Sequence, residues 1–213
     1  MKRPGIQDIG LGVCFLLLAI IAFRPAGVLG SRLRAWNAER QVLARHRAEW
    51  EEAASGRRST LGSGGAPVIF EFSDYQCPFC RASHQTVSGW ATAGRATVVL
   101  VHVPLSDRSR EAARAAICAE AGGAFARMHD FLMTNEDWQA AEVDWEAAAE
   151  AAGVPAGTRF ARCLESSATD ERLARDSALA VRWLVTGTPT FASDHARIVG
   201  QASQADLENL LGR

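Results

Sequence analysis

Cys77 and Cys80 are the residues whose type and spacing indicate chemistry most directly. They form a C-x-x-C motif where a short apolar stretch gives way to a segment with helical character. At such a junction the first sulfur lies beside unpaired backbone N–H groups and the positive end of the helix dipole, which stabilise its thiolate. The sequence therefore predicts that Cys77 is the nucleophile and that Cys80, one turn further on, is the resolving thiol. Because the two sulfurs can also close a small ring, the pair can cycle between dithiol and disulfide.

A C-x-x-C motif is also half of a zinc site, which needs two further ligands. Cys118, Cys163 and the five histidines could supply them, but the sequence has no second C-x-x-C and no pair of histidines at zinc-finger spacing. The redox interpretation is therefore favoured, and no metal and no cofactor are expected.

Glu71 lies six residues before Cys77, between two phenylalanines of the apolar stretch. Side chains of a strand alternate between its two faces, so two interpretations are open. Glu71 is either a buried acid beneath the active site or a solvent-facing residue of an alternating strand. A buried acid near Cys80 could take and return the proton that the resolving thiol exchanges.

Residues 185–191 contain a second signal, because Pro189 follows a Gly-Thr corner and directly precedes a predicted strand. About one X-Pro bond in twenty is cis in folded proteins, which makes Thr188–Pro189 only a candidate on sequence grounds. His84, one turn after Cys80, is interpreted as a solvated surface residue. The other histidines outside the N-terminal region are interpreted as structural or exposed, namely His102, His129 and His195.

The elements that position these residues follow from hydrophobic patterning. An apolar strand over residues 68–72, a helix to about residue 90 and a β-branched strand over 96–103 form a predicted βαβ unit. Residues 108–184 predict four or five helices, broken near residues 122–123, 134–135, 153–155 and 166–167. Two short strands over 190–192 and 197–199 and a helix over 204–211 are predicted to close the domain.

The N-terminal residues 1–30 are predicted to be a signal anchor. Lys2 and Arg3 precede an apolar run over residues 9–23. That run spans roughly 22 Å as a helix, short of a ~30 Å hydrocarbon core, but the apolar residues 26–29 extend it. No convincing cleavage site follows, so an uncleaved anchor is favoured over a cleaved signal peptide.

Residues 31–56 predict one juxtamembrane helix with Ser31 as its N-cap. Arg40 and Arg47 interrupt its apolar seam, so a spacer helix lying on the domain or the membrane is favoured over a dimerising coiled coil. Residues 57–66 are rich in Ser and Gly and predict a flexible linker to the domain over residues 67–213.

Charge is distributed unevenly along the chain. Residues 1–58 carry ten Lys/Arg against five Asp/Glu, whereas residues 59–213 carry thirteen against nineteen. The acidic domain argues against nucleic acid as a partner. Four of the five cysteines fall in this domain, an even number that suits an oxidising compartment.

Two motifs in this order resemble the DsbA-like thiol-disulfide oxidoreductases of the thioredoxin superfamily. They are the segment Glu71-Phe72-Ser73-Asp74-Tyr75-Gln76-Cys77-Pro78-Phe79-Cys80 and the segment Gly187-Thr188-Pro189-Thr190. Two intermediate segments, residues 102–105 and 125–130, also look like that family. The resemblance covers about residues 67–213 and does not extend to the anchor and the helix that precede them.

This resemblance implies an α/β thioredoxin-like fold with a helical insertion over about residues 108–185. It also implies a cis Thr188–Pro189 bond facing the cysteine pair, with Phe79, Thr188 and Pro189 contacting substrate, and Glu71 in the place of the family's buried acid. In some relatives a second disulfide is present, so a Cys118–Cys163 bond is favoured over two free buried thiols.

Three departures from the family pattern bear on function. Phe79 stands where the strongest oxidants carry histidine, and Thr188 is also found in isomerase-like and reductase-like relatives. Residues 192–196 replace the usual Asn-Gly turn, so an irregular edge hairpin is expected.

The leading hypothesis is an enzyme, anchored in the inner membrane with its domain in the periplasm or outside the cell, that exchanges disulfides with exported cysteine-containing proteins. Oxidation of these clients, with recharging by a membrane redox partner, is favoured over reduction or isomerisation. Two alternatives stay open, a Cu(I)-binding chaperone module using both thiolates and a scaffold with a permanent disulfide.

Overall fold

The computed structural model describes residues 27–55, 59–62 and 65–212, which divide into one compact unit ending at residue 44 and a second beginning at residue 45. The first unit consists, where described, of the earlier part of helix α1, Val28–Ser55. Leu29, Leu33 and Trp36 are exposed there, and the Arg40 guanidinium lies 4.6 Å from the Trp36 ring centre. Because α1 begins at Val28, the prediction of Ser31 as its N-cap is wrong.

The predicted anchor lies almost entirely outside the described residues, since the structure begins at residue 27. Among the helices that are described, none combines the length and the apolar character needed to cross a membrane.

The second unit contains a five-stranded mixed sheet of order β1-β3-β2-β4-β5. The central pair, β2 (Val68–Ser73) and β3 (Thr97–His102), is parallel and places Ser73 opposite His102. Strand β4 (Thr190–Ala192) runs antiparallel to β2, and β5 (Arg197–Val199) runs antiparallel to β4. The predicted strands at 190–192 and 197–199 are confirmed.

Strand β1 (Thr60–Leu61) was not predicted and pairs antiparallel with β3. The prediction of a flexible linker is therefore wrong for residues 59–62, where Ser59 and Leu61 are buried. Gly62 ends this strand with φ of 88°, and a Cβ there would come within 3.0 Å of the Ala96 carbonyl oxygen. Only glycine fits both the conformation and the space.

Eight α-helices are present in the described ranges. After α1, the helices are α2 (Pro78–Thr92), α3 (Asp107–Ala121), α4 (Phe125–Thr134), α5 (Trp145–Ala151), α6 (Thr158–Leu164), α7 (Ser167–Arg182) and α8 (Gln204–Leu210). Five of them, α3 to α7, form the insertion, as predicted. A 3₁₀ turn at Asp137–Gln139, between α4 and α5, was not predicted.

The starts of the insertion helices follow from local capping chemistry. The side chains of Ser106, Asp144 and Ser166 accept hydrogen bonds from backbone N–H groups in the first turns of α3, α5 and α7. Each of these acceptors satisfies donors that have no partner inside the helix. The insertion therefore begins three of its helices at short polar residues, of which only Ser166 lies at a predicted break.

The period of two along β2 sends its side chains to two separate cores. Ile69 packs in a core shared with Cys80 of α2 and with the insertion helices. Phe70 and Phe72 face the opposite core, where the Trp183 ring lies 5.0 Å and 5.5 Å from theirs. Trp50 of α1 joins this second core with its ring centre 4.8 Å from that of Phe70. The strand that leads into Cys77 is thus covered on both faces.

Candidate active site

Helix α2 positions the two sulfurs of the C-x-x-C motif differently. Cys77 is the N-cap residue with extended backbone, and Pro78 occupies the first helical turn, where its missing N–H costs no hydrogen bond. The Cys77 side chain is half-buried, whereas Cys80, one turn later, has none of its surface exposed. Both thiols are free, so the structure describes the dithiol form.

A loop distant in sequence faces Cys77. The Cys77 thiol donates to the backbone carbonyl of Thr188, with 3.2 Å between sulfur and oxygen. The Thr188–Pro189 peptide bond is cis, and Pro189 is buried immediately before β4. The fold therefore brings Cys77, Thr188 and Pro189 together across 111 residues of sequence.

Glu71 is buried beneath this pair, with 1% of its surface exposed. The solvent-facing alternative is therefore wrong. Burial penalises the carboxylate and raises the pKa of Glu71 from 4.5 to about 7, although the Ser73 hydroxyl partly offsets this by stabilising the charged form. At neutral pH a carboxyl group with this pKa can either accept or release a proton.

Burial also raises the pKa of the Cys80 thiol well above its usual range. The backbone of Asp74 and the Ser73 hydroxyl lower it, while Cys77 and the charge of Glu71 raise it further. The net effect holds Cys80 as a neutral thiol at physiological pH. Its use as a nucleophile therefore requires a nearby base.

An open groove runs beside Cys77, with a volume of about 370 Å³. Two apolar side chains near the cysteine pair are strongly exposed, Phe79 at 57% and Leu105 at 72%. The groove is lined by Asp74, Gln76, Cys77, Pro78, Leu105, Ser106, Ser109 and Thr188. Its position beside the accessible sulfur makes room for an extended segment of another chain.

Asp74 organises both walls of this groove and was not singled out from the sequence. Its buried carboxylate accepts hydrogen bonds from the backbone N–H groups of Gln76 and Leu105, each at 2.6 Å, and from the Ser109 hydroxyl at 2.9 Å. The contact with the backbone N–H of Gln76, two residues further along the chain, forms an Asx turn. Aspartate commonly forms such a turn. That spacing was the available signal, whereas the contacts with Leu105 and Ser109 depend on tertiary structure.

The surface interpretation of His84 is wrong. His84 is 5% exposed, and its Nε2 lies 2.8 Å from the Asp130 carboxylate. His129 packs beside it with ring centres 5.0 Å apart, and burial lowers the pKa of His129. Because burial raises the pKa of Tyr75, its hydroxyl stays protonated and can donate to His129 Nδ1, 3.1 Å away. These residues join α2 to the insertion by polar contacts.

His102 and Asp176 form a second buried polar pair, each 1% exposed. The Asp176 carboxylate is 3.0 Å from His102 Nδ1 and 3.1 Å from the His102 backbone nitrogen. Asp176 was not predicted, although it lies among Leu173, Leu179 and Trp183 at helical spacing, where an apolar residue is the usual choice. An acid inside an apolar stripe was the signal that could have identified it.

Cys118 of α3 and Cys163 of α6 form a disulfide with their Cα atoms 5.6 Å apart. They are therefore not available as the extra ligands that a zinc site at Cys77 and Cys80 would need. Throughout the described ranges, no group of three or more His, Cys, Asp or Glu side chains is arranged to hold a metal ion.

A mixed sheet with a C-x-x-C motif at the start of a helix and a cis-proline loop facing it defines the thioredoxin-like class of proteins. A family model described as thioredoxin matches residues 54–213. The chain belongs to this thioredoxin family.

Solved structures share this fold over most of their length. Alpha-DsbA2 from Wolbachia pipientis is 15% identical, with a TM-score of 0.71 over 81% of this chain and 95% of that one. A thioredoxin-like oxidoreductase from Silicibacter pomeroyi is 26% identical, with a TM-score of 0.64 and coverages of 76% and 94%. The catalytic domain of Proteus mirabilis ScsC is 20% identical, with a TM-score of 0.65 and coverages of 81% and 96%.

A curated protein of a different kind also matches. The Na(+)/H(+) antiporter NhaA 3 of Salinispora tropica is 33% identical over 140 residues, which are 63% of this chain. The chain spans about a fifth of the length of that relative, 21%.

Proposed function

We propose that this protein is an enzyme that exchanges disulfides with cysteine-containing proteins through the Cys77–Cys80 couple. The observation that carries the proposal is the asymmetry of the two sulfurs. Cys77 is accessible beside a groove and lies 3.2 Å from the Thr188 carbonyl oxygen, whereas Cys80 is fully buried in the same core that contains Glu71. One sulfur can meet a macromolecule, and the other can react only with its neighbour.

In the oxidising direction, a client thiolate attacks the Cys77 sulfur of the enzyme disulfide. The client–Cys77 bond forms, the Cys77–Cys80 bond breaks, and its electron pair leaves on Cys80, which takes a proton from Glu71. A second client thiolate then attacks the client sulfur and releases Cys77 as a thiolate. The client loses two electrons and the enzyme gains them.

In the reverse direction the same groups act in reverse order. Glu71 as a carboxylate removes the Cys80 proton, and the new thiolate attacks Cys77 in the mixed disulfide. The Cys77–client bond breaks, and the electron pair leaves with the client sulfur. A pKa of about 7 suits Glu71 to both roles, since neither protonation state is strongly favoured at neutral pH.

Clients are proposed to bind as extended segments beside Thr188 and Pro189. Pro189 has no N–H, and the Thr188 carbonyl loses its Cys77 donor once that sulfur is in a disulfide, so the Thr188 carbonyl can then accept a hydrogen bond from an added strand. The exposed ring of Phe79 and the groove beside Cys77 would contact the residues that flank the client cysteine.

Oxidation is the favoured direction, and reduction or isomerisation is the alternative. The Cys118–Cys163 disulfide supports an oxidising compartment, because such bonds are rare where thiols are kept reduced. One structural neighbour is described as a periplasmic thioredoxin-like protein from Salmonella enterica serovar Typhimurium. We therefore propose an extracytoplasmic domain, anchored by residues 1–30 and recharged by a membrane redox partner. Similarity to part of an antiporter is in keeping with a location at a membrane.

Cu(I) binding is a weaker alternative because the ion would have to contact both sulfurs. Cys80 has no exposed surface, so an ion held there would require the start of α2 to open. Exchange with a protein client needs access to Cys77 alone.

The equilibrium potential of the Cys77–Cys80 couple tests the proposal. The full-length protein is equilibrated in glutathione buffers, and the dithiol fraction is read by alkylation and mass, with Cys77→Ser as the control that cannot form the bond. A potential between roughly −120 and −270 mV is expected, with values near −120 mV indicating an oxidase and values near −270 mV a reductase. A bond that resists reduction below about −300 mV would show a structural disulfide and overturn the proposal.

A further inference from the structure

Gln76 stands directly before the accessible Cys77 and is held through both its backbone and its side chain. Its backbone N–H donates to the Asp74 carboxylate at 2.6 Å. Its side-chain Oε1 accepts a hydrogen bond from the Ser106 hydroxyl at 2.5 Å and lies 3.2 Å from the Ser109 hydroxyl. Asp74 in turn accepts a hydrogen bond from Ser109 at 2.9 Å. The Gln76 side chain is therefore fixed against the start of α3.

The Ser106 hydroxyl determines which way the Gln76 amide faces. As the N-cap of α3, Ser106 Oγ accepts the backbone N–H of Ser109. Its own proton goes to Gln76 Oε1, since their separation of 2.5 Å lies in the range of O–H···O hydrogen bonds and is shorter than N–H···O bonds are. The amide oxygen thus faces α3, and the two N–H groups of Nε2 lie on the other edge of the planar amide.

These two N–H groups have no partner within the protein as described. Across residues 27–55, 59–62 and 65–212, the hydrogen bonds of the Gln76 side chain all go to Oε1. Gln76 is half-buried, and the fully buried polar atoms that lack a partner in these ranges belong to other residues, so Nε2 is open to solvent. A glutamate could form the same link to α3 through its oxygen. The unused donors are what glutamine adds at this position.

The groove beside Cys77 therefore offers both kinds of partner that a polypeptide backbone needs. Gln76, Cys77 and Thr188 all line this groove. The Thr188 carbonyl is an acceptor 3.2 Å from the Cys77 sulfur, and Gln76 Nε2 supplies donors from the residue before that cysteine. Each residue of a client other than proline carries one N–H and one C=O group, so an extended client segment can use both.

The reach of a glutamine side chain suits the backbone of a bound client. In a mixed disulfide, the Cα atom of the client cysteine would lie about 4.4 to 6.8 Å from the Cα atom of Cys77. The Gln76 Cα atom is about 3.8 Å from that of Cys77. A glutamine side chain with a hydrogen bond of about 2.9 Å can bridge this separation to a carbonyl of the client cysteine or its neighbour. Because Ser106 already holds the amide, little side-chain freedom is lost on binding.

We propose that Gln76 is a client-binding residue, whose Nε2 donates a hydrogen bond to a backbone carbonyl beside the reacting cysteine of the client. Ser106 is a positioning residue that acts through Gln76. The inference rests on the proposed exchange activity and specifies its substrate class as cysteines within a polypeptide, because a small thiol without an amide has no carbonyl at that place. A bond to the backbone does not depend on the side chains of the client, so it favours polypeptides in general over any one sequence.

The test compares two probes that differ in whether they carry a backbone. One is a capped pentapeptide whose central cysteine is disulfide-linked to thionitrobenzoate, and the other is mercaptoethanol linked to the same group. The Cys77 thiolate of the reduced full-length protein attacks the peptide or mercaptoethanol sulfur and forms a bond to it. The bond to the nitrobenzoate sulfur breaks, and nitrothiolate leaves with the electron pair. Its absorbance gives a rate constant for each probe, and the readout is the ratio of the peptide constant to the mercaptoethanol constant.

Gln76→Met keeps the length of the side chain and removes both donors. The ratio should therefore fall roughly three- to tenfold, the effect of losing one neutral hydrogen bond. Gln76→Glu keeps the oxygen that meets Ser106 and places a carboxylate oxygen where Nε2 stood, so the ratio should fall further. Any change in the reactivity of Cys77 itself alters both constants alike and cancels in the ratio. Gln85→Met, which replaces an exposed glutamine on α2, is the matched control and should keep the ratio of the unmodified protein.

Ser106→Ala tests the positioning role. It frees the amide to rotate, so the ratio should fall roughly two- to threefold. In the Gln76→Met protein the same change should lower the ratio no further, because Ser106 then has no amide to hold. Ser106→Thr keeps the hydroxyl and should keep the ratio. Equal losses on adding Ser106→Ala to the unmodified and the Gln76→Met protein would show that Ser106 does not act through Gln76.

A ratio that stays within about twofold of the unmodified value in both Gln76 variants would overturn the inference. A fall of the same size in Gln85→Met would overturn it as well. If Gln76→Met fails to fold, Gln76→Glu decides the outcome. The proposed exchange activity fails separately if Cys77→Ser releases nitrothiolate from the probes as fast as the unmodified protein does.

Discussion

Replacing Glu71 by glutamine should stabilise the protein, and more at high pH than at low pH. The carboxyl group has a pKa of about 7 in the folded protein against 4.5 in the unfolded chain. The folded state therefore holds the proton more tightly, and ionisation costs stability. This cost is absent below pH 4.5, grows as pH rises, and is complete above pH 7.

The magnitude follows from the two pKa values. A full separation of 2.5 units corresponds to about 3.4 kcal/mol at 1.36 kcal/mol per unit. By the same linkage, the cost of the carboxylate is about 0.8 kcal/mol at pH 5 and about 3.3 kcal/mol at pH 8. The glutamine variant does not titrate, so its advantage over the unmodified protein should grow by about 2.5 kcal/mol between these pH values. Any constant cost of burying the amide cancels in this difference.

The assay is urea unfolding followed by the fluorescence of the buried Trp138 and Trp183. Both proteins carry Cys77→Ser, which prevents oxidation of the site, and Cys80 remains a thiol across this range because burial raises its pKa. Stability curves that run parallel from pH 5 to pH 8 would refute the argument, since Glu71 would then ionise alike in the folded and unfolded chains.

Four further outcomes are expected. Cys80→Ser should accumulate mixed disulfides with client proteins. Iodoacetamide at neutral pH should label half-buried Cys77 before buried Cys80, and faster labelling of Cys80 would reverse the assigned roles. The double variant Cys118→Ala, Cys163→Ala should lower the free energy of unfolding by about 4 kcal/mol, because it removes the closure of a loop of 45 residues. Its exchange rate should be unchanged. An unchanged urea midpoint would contradict this prediction. Asp74→Ala should cost about 3 kcal/mol, because it leaves three donors without their acceptor, and should slow exchange; unchanged stability would show that these contacts are weak.

The parts of the fold that the sequence predicted correctly are those with strong local signals. The apolar stretch before Cys77 and the β-branched stretch of β3 each specify an element almost without tertiary context. The two-residue strand β1 carries no such signal. It exists because the edge of β3 offers free backbone groups and because Gly62 permits the approach.

The site was predicted only in part, for a similar reason. Cys77, Cys80 and Pro189 can be identified from residue type and spacing. Burial of a polar side chain, in contrast, depends on which other elements cover it. His84 was assigned to the surface because its helix neighbours could not show that α4 would pack over it. The pairing of His102 with Asp176 joins positions 74 residues apart and follows from α7 packing against β3.

Contact between Cys77 and the Thr188 carbonyl has a consequence for chain synthesis. The first half of the site lies early in the chain, and the second half lies 111 residues later. A nascent chain that emerges from its N-terminus therefore presents both thiols of the C-x-x-C motif long before the loop that faces them exists. Until residues 187–190 have followed, the motif is a dithiol without the loop that faces it in the folded protein, so a truncated chain would exchange with disulfides without the surface proposed to bind clients.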